Sequence, residues 1–65
     1  MSVLEVLTGR QRDVCVLVAE GLSNKEIARR LGIGPRTVES HKLDSYRRLG
    51  VSNVAQLVRK ILVPA

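Results

Sequence analysis

Sixty-five residues, 45% of them hydrophobic and only one of them Cys, make a single small domain with a thin core; a chain of this size buries only about 60% of the surface that its unfolded form exposes. That excludes a doubly wound sheet, a barrel or a large substrate cleft, and one Cys with one His excludes an internal disulfide and disfavours a structural zinc site. Eleven Lys and Arg against six Asp and Glu give a net charge of +5, which favours a polyanionic partner, while a lone aromatic, Tyr46, argues against stacking of single-stranded bases.

Along the chain, the expected elements are a lead segment and four helices. Residues 1–7 are apolar and uncapped, and read as a tail that packs Leu4 or Leu7 loosely; residues 8–65 form the domain. Thr8 with Gln11 three residues later is a capping box, in which each side chain closes a backbone donor at a helix start. Val14, Leu17 and Val18 follow at helical spacing, and Gly21 stops the helix. Cys15 lies beside that stripe and reads as a small inert hydrophobe rather than a redox sensor. Ser23 and Glu26 form a second capping box; Ile27, Ala28 and Leu31 are the stripe behind it, and Gly32 ends this helix after two turns. Gly34 and Pro35 start a third helix, with proline at the first helical position, and it runs through Val38 to Leu49 and stops at Gly50. Ser52 or Asn53 opens a fourth, with Asn53 and Gln56 as a box-like pair and Pro64 closing it. The expected fold class is all-α, a four-helix, bundle-like domain with a central helix-turn-helix.

Helices two and three carry the functional reading. Small Ala28 allows a close crossing, Gly32 permits a sharp turn, and Val38 drops between the two helices, with Ile27, Leu31 and Ile33 closing the gaps. Two helices joined across three or four residues make a helix-turn-helix. An ordinary helical hairpin does not call for a two-turn helix, a glycine turn and a longer basic helix together. Residues 23–48 carry +4, against −1 in residues 1–22 and +2 in residues 49–65. The third helix has a core face of Val38, Ser45, Tyr46 and Leu49, with His41 and Lys42 between them. Its opposite face carries Arg36, Glu39, Ser40, Leu43, Asp44 and Arg47.

An exposed helix face of this kind fits the major groove of DNA. Glu39 suits a cytosine amino group, Ser40 several bases, and Leu43 a thymine methyl; Arg36 and Arg47 suit phosphates or guanine. Ser23, Asn24 and Lys25 surround the free amides at the start of the second helix, an anion seat in which Ser23 is the cap and Lys25 the stronger contact. Thr37 is a further phosphate candidate. On the fourth helix, Val54, Ala55, Leu57, Val58, Ile61, Leu62 and Val63 exceed what one small core accepts. Part of this surface is expected to meet a second copy, while Leu57 and Ile61 complete the core. A two-fold dimer sets two reading helices about 34 Å apart on an inverted repeat.

LTGRQRDVCVLVAEGLSNKEIARRLGIGPRTVESH, followed by RRLGVSN and AQLV, resembles the LuxR/FixJ/NarL family of DNA-binding domains over residues 7–62. The resemblance implies a four-helix domain whose third helix enters the major groove and whose fourth helix forms dimers. It further implies transcription regulation, often as the output domain of a two-component response regulator. By the same resemblance, Asn24, Lys25 and Thr37 are phosphate contacts, and Glu39, Ser40 and Leu43 fall where bases are read. His41 packs or meets a phosphate, and Val54, Leu57, Val58 and Ile61 lie on the dimerisation helix. Gln11 stands where the family usually has glutamate, and Gly34 where it has a capping serine. Cys15 and Ser45 replace larger aliphatics and thin the core unless Tyr46 repacks over the gap. Leu43 and Asp44 make the reading face less basic than in many relatives.

The expected function is therefore sequence-specific binding of double-stranded DNA by a cytoplasmic homodimer that needs no cofactor. One alternative is a sigma-factor-like promoter-recognition domain that associates with RNA polymerase. Another, motivated by Leu43 and Asp44, is a protein-interaction or dimerisation module that has lost DNA binding. An enzyme is the least supported class, because no acid and base pair, phosphate-cradling glycine loop or metal cluster is legible. No apolar run approaches 18 residues, and only Arg59 and Lys60 charge the fourth helix, so no membrane partner is expected.

Overall fold

The computed structural model describes residues 3–62. A short 3-10 helix, Val3–Val6, precedes four α-helices: α1 (Gly9–Ala19), α2 (Asn24–Leu31), α3 (Pro35–Leu49) and α4 (Val54–Leu62). The all-α, four-helix expectation holds, and no strand occurs among the described residues. Val63 and Pro64, read as part of the apolar excess and as the end of the fourth helix, lie outside the described residues.

Local chemistry sets each helix start. The Thr8 hydroxyl accepts from the Gln11 amide at 3.2 Å, and Gln11 Oε1 accepts from the Thr8 amide at 3.2 Å. Ser23 and Glu26 repeat the arrangement at 2.9 and 3.2 Å. α3 has no side-chain cap; Gly34 adopts extended backbone and Pro35 supplies a pre-set φ without an orphan amide. At α4 the Gln56 amide donates to Asn53 Oδ1 at 2.8 Å, but the reciprocal arm differs from a regular box. Gln56 Oε1 reaches one residue further back and accepts from the Ser52 amide at 2.6 Å.

The turn between α2 and α3 depends on Gly32, whose φ of 69° lies in the left-handed region that side chains with a Cβ resist. The Ile33 amide then donates to the Ala28 carbonyl at 3.0 Å, closing the end of α2 and turning the chain into Gly34. Only Gly32, Ile33 and Gly34 separate the two helices, as a helix-turn-helix requires.

Each helix sends residues into one core. Val14, Cys15, Leu17 and Val18 come from α1, Ile27 and Ala28 from α2, Val38, Tyr46 and Leu49 from α3, and Leu57 from α4. α3 packs against α1, α2 and α4 along its inner face, which leaves its outer face free.

Residues 1–2 of the lead segment lie outside the described residues; the part from Val3 to Leu7 is packed more closely than its uncapped sequence suggested. Leu7 is buried in the core, and the 3-10 helix packs against α3 and α4. Two arginines hold it: Arg12 Nε donates to the Leu4 carbonyl at 3.3 Å, and Arg48 Nη1 donates to the Val6 carbonyl at 3.4 Å. Burial of Leu7 contributes about 1.5–3 kcal/mol, which together with the two arginine contacts offsets part of the cost of ordering a short segment that has no capping signal.

Cys15 and Ser45 are both fully buried. The Ser45 hydroxyl donates to the His41 carbonyl one turn back, at 2.6 Å. Burial pushes the Cys15 thiol above its ordinary pKa, against a smaller downward pull from hydrogen bonding with Ser45. Such a thiol stays protonated at neutral pH, which suits a packing role. Tyr46 is buried with this pair, and its pKa is raised by burial and, secondarily, by the neighbouring Cys15. Its hydroxyl is buried without a hydrogen-bond partner. Leaving a buried donor unpaired destabilises a fold. Tyr46→Phe is therefore expected to raise stability by about 1 kcal/mol, or to raise Tm by about 4–8 °C for a domain of this size. A lowered Tm in thermal melts would contradict this.

Candidate nucleic-acid interface

Two helix segments meet to form the candidate surface. At the start of α2, the Ser23–Glu26 box consumes the amides of Ser23 and Glu26. The amides of Asn24 and Lys25 remain among the open donors of the first turn, at the positive end of the helix dipole. Lys25 is exposed and Asn24 half-buried beside it. The box holds the Glu26 carboxyl below its ordinary pKa, chiefly through the bond from the Ser23 amide and then through the Ser23 hydroxyl.

That shift fixes a pH dependence. A carboxyl with a depressed folded-state pKa stabilises the fold above its unfolded pKa of about 4.3, and this contribution is lost as pH falls through the folded value. Melting curves of the wild type and Glu26→Gln should differ at neutral pH, and the difference should shrink as pH falls below about 4.3 through the lower folded value. A difference that persists unchanged to pH 2 would contradict this source of stability.

α3 supplies the second segment. Arg36, Thr37, Glu39, Ser40, Asp44 and Arg47 are exposed, and Leu43 is 48% exposed although large and apolar. Val38, Ser45, Tyr46 and Leu49 face the core. His41 sits half-buried at the boundary between the two faces. The nine residues expected to meet DNA thus lie on the α2 start and on one side of α3, and none of them is buried in the core. Arg47 Nη1 lies 3.7 Å from Asp44 Oδ1, with both side chains well exposed.

One residue was missed by the sequence reading. A cleft of ≈ 550 Å³ is lined by Ser23, Asn24 and Lys25 from the α2 start, by Lys42 from α3, and by Val18, Gly21, Leu22 and Val54. Lys42 had been placed on the inner side of α3. Its long stem lets a residue at the core boundary carry its charge outward, so a second cation joins Lys25 in one cleft. The signal was present in the type of residue: a lysine at a boundary position snorkels rather than buries. Neither lysine has an ion-pair partner among the described residues.

On α4 the two readings of Leu57 separate. Leu57 is completely buried, as the residue pattern indicated, and so has no surface to offer a second copy, which corrects its place among the dimerisation residues. Ile61 is half-buried and packs against the core, again as the residue pattern indicated. Val54 is 43% exposed, Leu62 is 73% exposed and Val58 is half-buried. The apolar arc of α4 spans about 160° at helical winding; its inner edge enters the core and its outer edge does not. No helix among the described residues is long and apolar enough to cross a membrane.

Comparison with known proteins accords with this geometry. Fifty-two residues are 54% identical to the protein named "Putative HTH-type transcriptional regulator Rv0890c" of Mycobacterium tuberculosis, covering 80% of this chain and 6% of that protein. Transcriptional regulatory protein UhpA of Escherichia coli is 44% identical over 55 residues, 85% of this chain and 28% of UhpA. Transcriptional regulatory protein MctR of Rhizobium johnstonii is 45% identical over 56 residues, 86% of this chain and 26% of MctR. The chain therefore spans from 6% to 28% of the length of these relatives. The family described as "Bacterial regulatory proteins, luxR family" matches residues 5–61. That match takes in α1, α2 and α3 whole, the glycine turn included, and all of α4 but Leu62, and by it the chain belongs to the luxR family of bacterial regulatory proteins as a helix-turn-helix domain.

Proposed function

We propose that this domain binds double-stranded DNA sequence-specifically to control transcription, with α3 in the major groove. The observation that carries the reading is the two-sidedness of α3: one face sits in the core, and the other presents Arg36, Glu39, Ser40, Leu43 and Arg47 to solvent. Glu39 accepts from a cytosine amino group, Ser40 bonds a base edge, Leu43 packs on a thymine methyl, and Arg36 and Arg47 take phosphate or guanine. Asn24, Lys25, Thr37 and His41 position the helix through phosphates. Val54, Val58, the exposed edge of Ile61, and Leu62 pair two copies on an inverted repeat, with reading helices about 34 Å apart. Within a longer regulator, the domain acts as the cytoplasmic output module of a two-component response regulator.

Affinity for labelled duplex, measured at two salt concentrations, tests the reading. Binding should weaken steeply with salt, because neutralised phosphates release counterions. Lys25→Ala should lower affinity for all duplexes alike and flatten the log–log salt slope by about 0.9. Failure of the wild type to bind any duplex at low salt would overturn the proposal.

A further inference from the structure

The charge of this protein is distributed in a way that DNA affinity alone does not explain. Winding at about 100° per residue, α3 sets Leu43, Arg36, Arg47 and Ser40 along the middle of its outer face, with Glu39 on one shoulder and Asp44 on the other. On that face two arginines are balanced by two carboxylates, although the chain as a whole carries +5. The unopposed cations lie elsewhere, including Lys25, Lys42, Arg59 and Lys60. The surface best placed to enter the groove is therefore the one with no net attraction for phosphate.

Asp44 is the informative member. Its side chain is 54% exposed, so it does nothing for the core, and it lies 3.7 Å from the guanidinium of Arg47, whose side chain is 82% exposed. A carboxylate only accepts hydrogen bonds. The walls of the major groove are anionic phosphates, and the base edges there offer amino donors only at adenine N6 and cytosine N4. Asp44 is thus repelled almost everywhere on a duplex and satisfied only opposite such an amino group.

We propose that the Asp44–Arg47 pair is a gate on specificity. On arbitrary sequence Asp44 keeps Arg47 engaged and withholds it from the phosphates. Where the base edge offers an amino group, that donor takes the Asp44 carboxylate and Arg47 is released to the DNA backbone. Asp44 is accordingly a specificity determinant that acts by exclusion, a device known to sharpen recognition at the expense of generic affinity. The inference rests on the DNA-binding reading above.

The test uses the intact chain, a random-sequence duplex pool, and duplexes that the wild type selects from that pool. Asp44→Asn should raise affinity for the random pool about fivefold and steepen its salt slope by about 0.9, the increment for one more neutralised phosphate. Its ratio of selected to random affinity should fall. Arg47→Gln in the wild-type background should weaken selected binding more than random binding, and in the Asp44→Asn background it should cancel the gain. Asp44→Glu, which keeps the carboxylate, should retain wild-type behaviour. An unchanged ratio in Asp44→Asn, or equal weakening of both duplex classes by Arg47→Gln, would overturn the gate while leaving DNA binding intact. A wild type that binds neither duplex class would instead overturn the reading beneath it.

Discussion

Replacing Leu43 with glutamate is expected to reduce duplex affinity about 100-fold, equivalent to about 2.7 kcal/mol, without altering the fold. Leu43 is 48% exposed on the outer side of α3, so the substitution opens no cavity and strains no neighbour. It does place a third carboxylate between Glu39 and Asp44, in the middle of the surface proposed to enter the groove. Like charges brought together at an interface are penalised by several kcal/mol, and here every groove wall is an anion. Val16→Glu is the matched control: the same charge change at a 39% exposed valine on α1, where only the loss of net charge should be felt. Equal weakening by the two substitutions, measured as duplex dissociation constants at one salt concentration, would mean that binding follows net charge and not the α3 surface.

Leu57→Ala is expected to have the largest effect on stability. Leu57 is completely buried and is the one α4 residue that is among the described residues, so it anchors α4 to the body of the domain. Leucine-to-alanine changes at such sites remove about 2–5 kcal/mol. A domain of this size holds only about 3–10 kcal/mol in total, so a large share of its stability is at stake. Thermal melts should show Tm falling by more than about 10 °C, independently of protein concentration. Leu62→Asp should do the reverse. Its parent residue is 73% exposed, so the fold should survive while cooperative occupancy of an inverted repeat is lost. A Leu57→Ala variant with wild-type Tm and impaired pairing would return Leu57 to the dimer surface.

The legible and illegible parts of this protein divide along a physical line. Thr8 with Gln11 and Ser23 with Glu26 act within four residues, so their capping boxes were readable, and Pro35 and Gly50 bounded α3 at Pro35–Leu49. The outward face of α3 followed from helical period alone. What escaped depends on residues remote in the chain. The lead segment is ordered by Arg48, whose guanidinium reaches a carbonyl 42 residues away. Lys42 joins Lys25 only because the starts of α2 and α4 converge on one cleft with α3. Leu57 was assigned to two faces at once, since a wide apolar arc does not reveal which edge the core takes. The Asp44–Arg47 pair lies at i, i+3 spacing, but spacing alone does not show whether two exposed side chains meet each other or point into solvent.

Methylation interference at guanine N7 tests the central claim most directly, because that atom lies on the major-groove edge and nowhere else. With α3 seated in that groove, methylation of a few guanines in each half-site should abolish binding of the wild-type domain. Binding that tolerates N7 methylation throughout the site, and fails only when the minor groove is blocked, would contradict it.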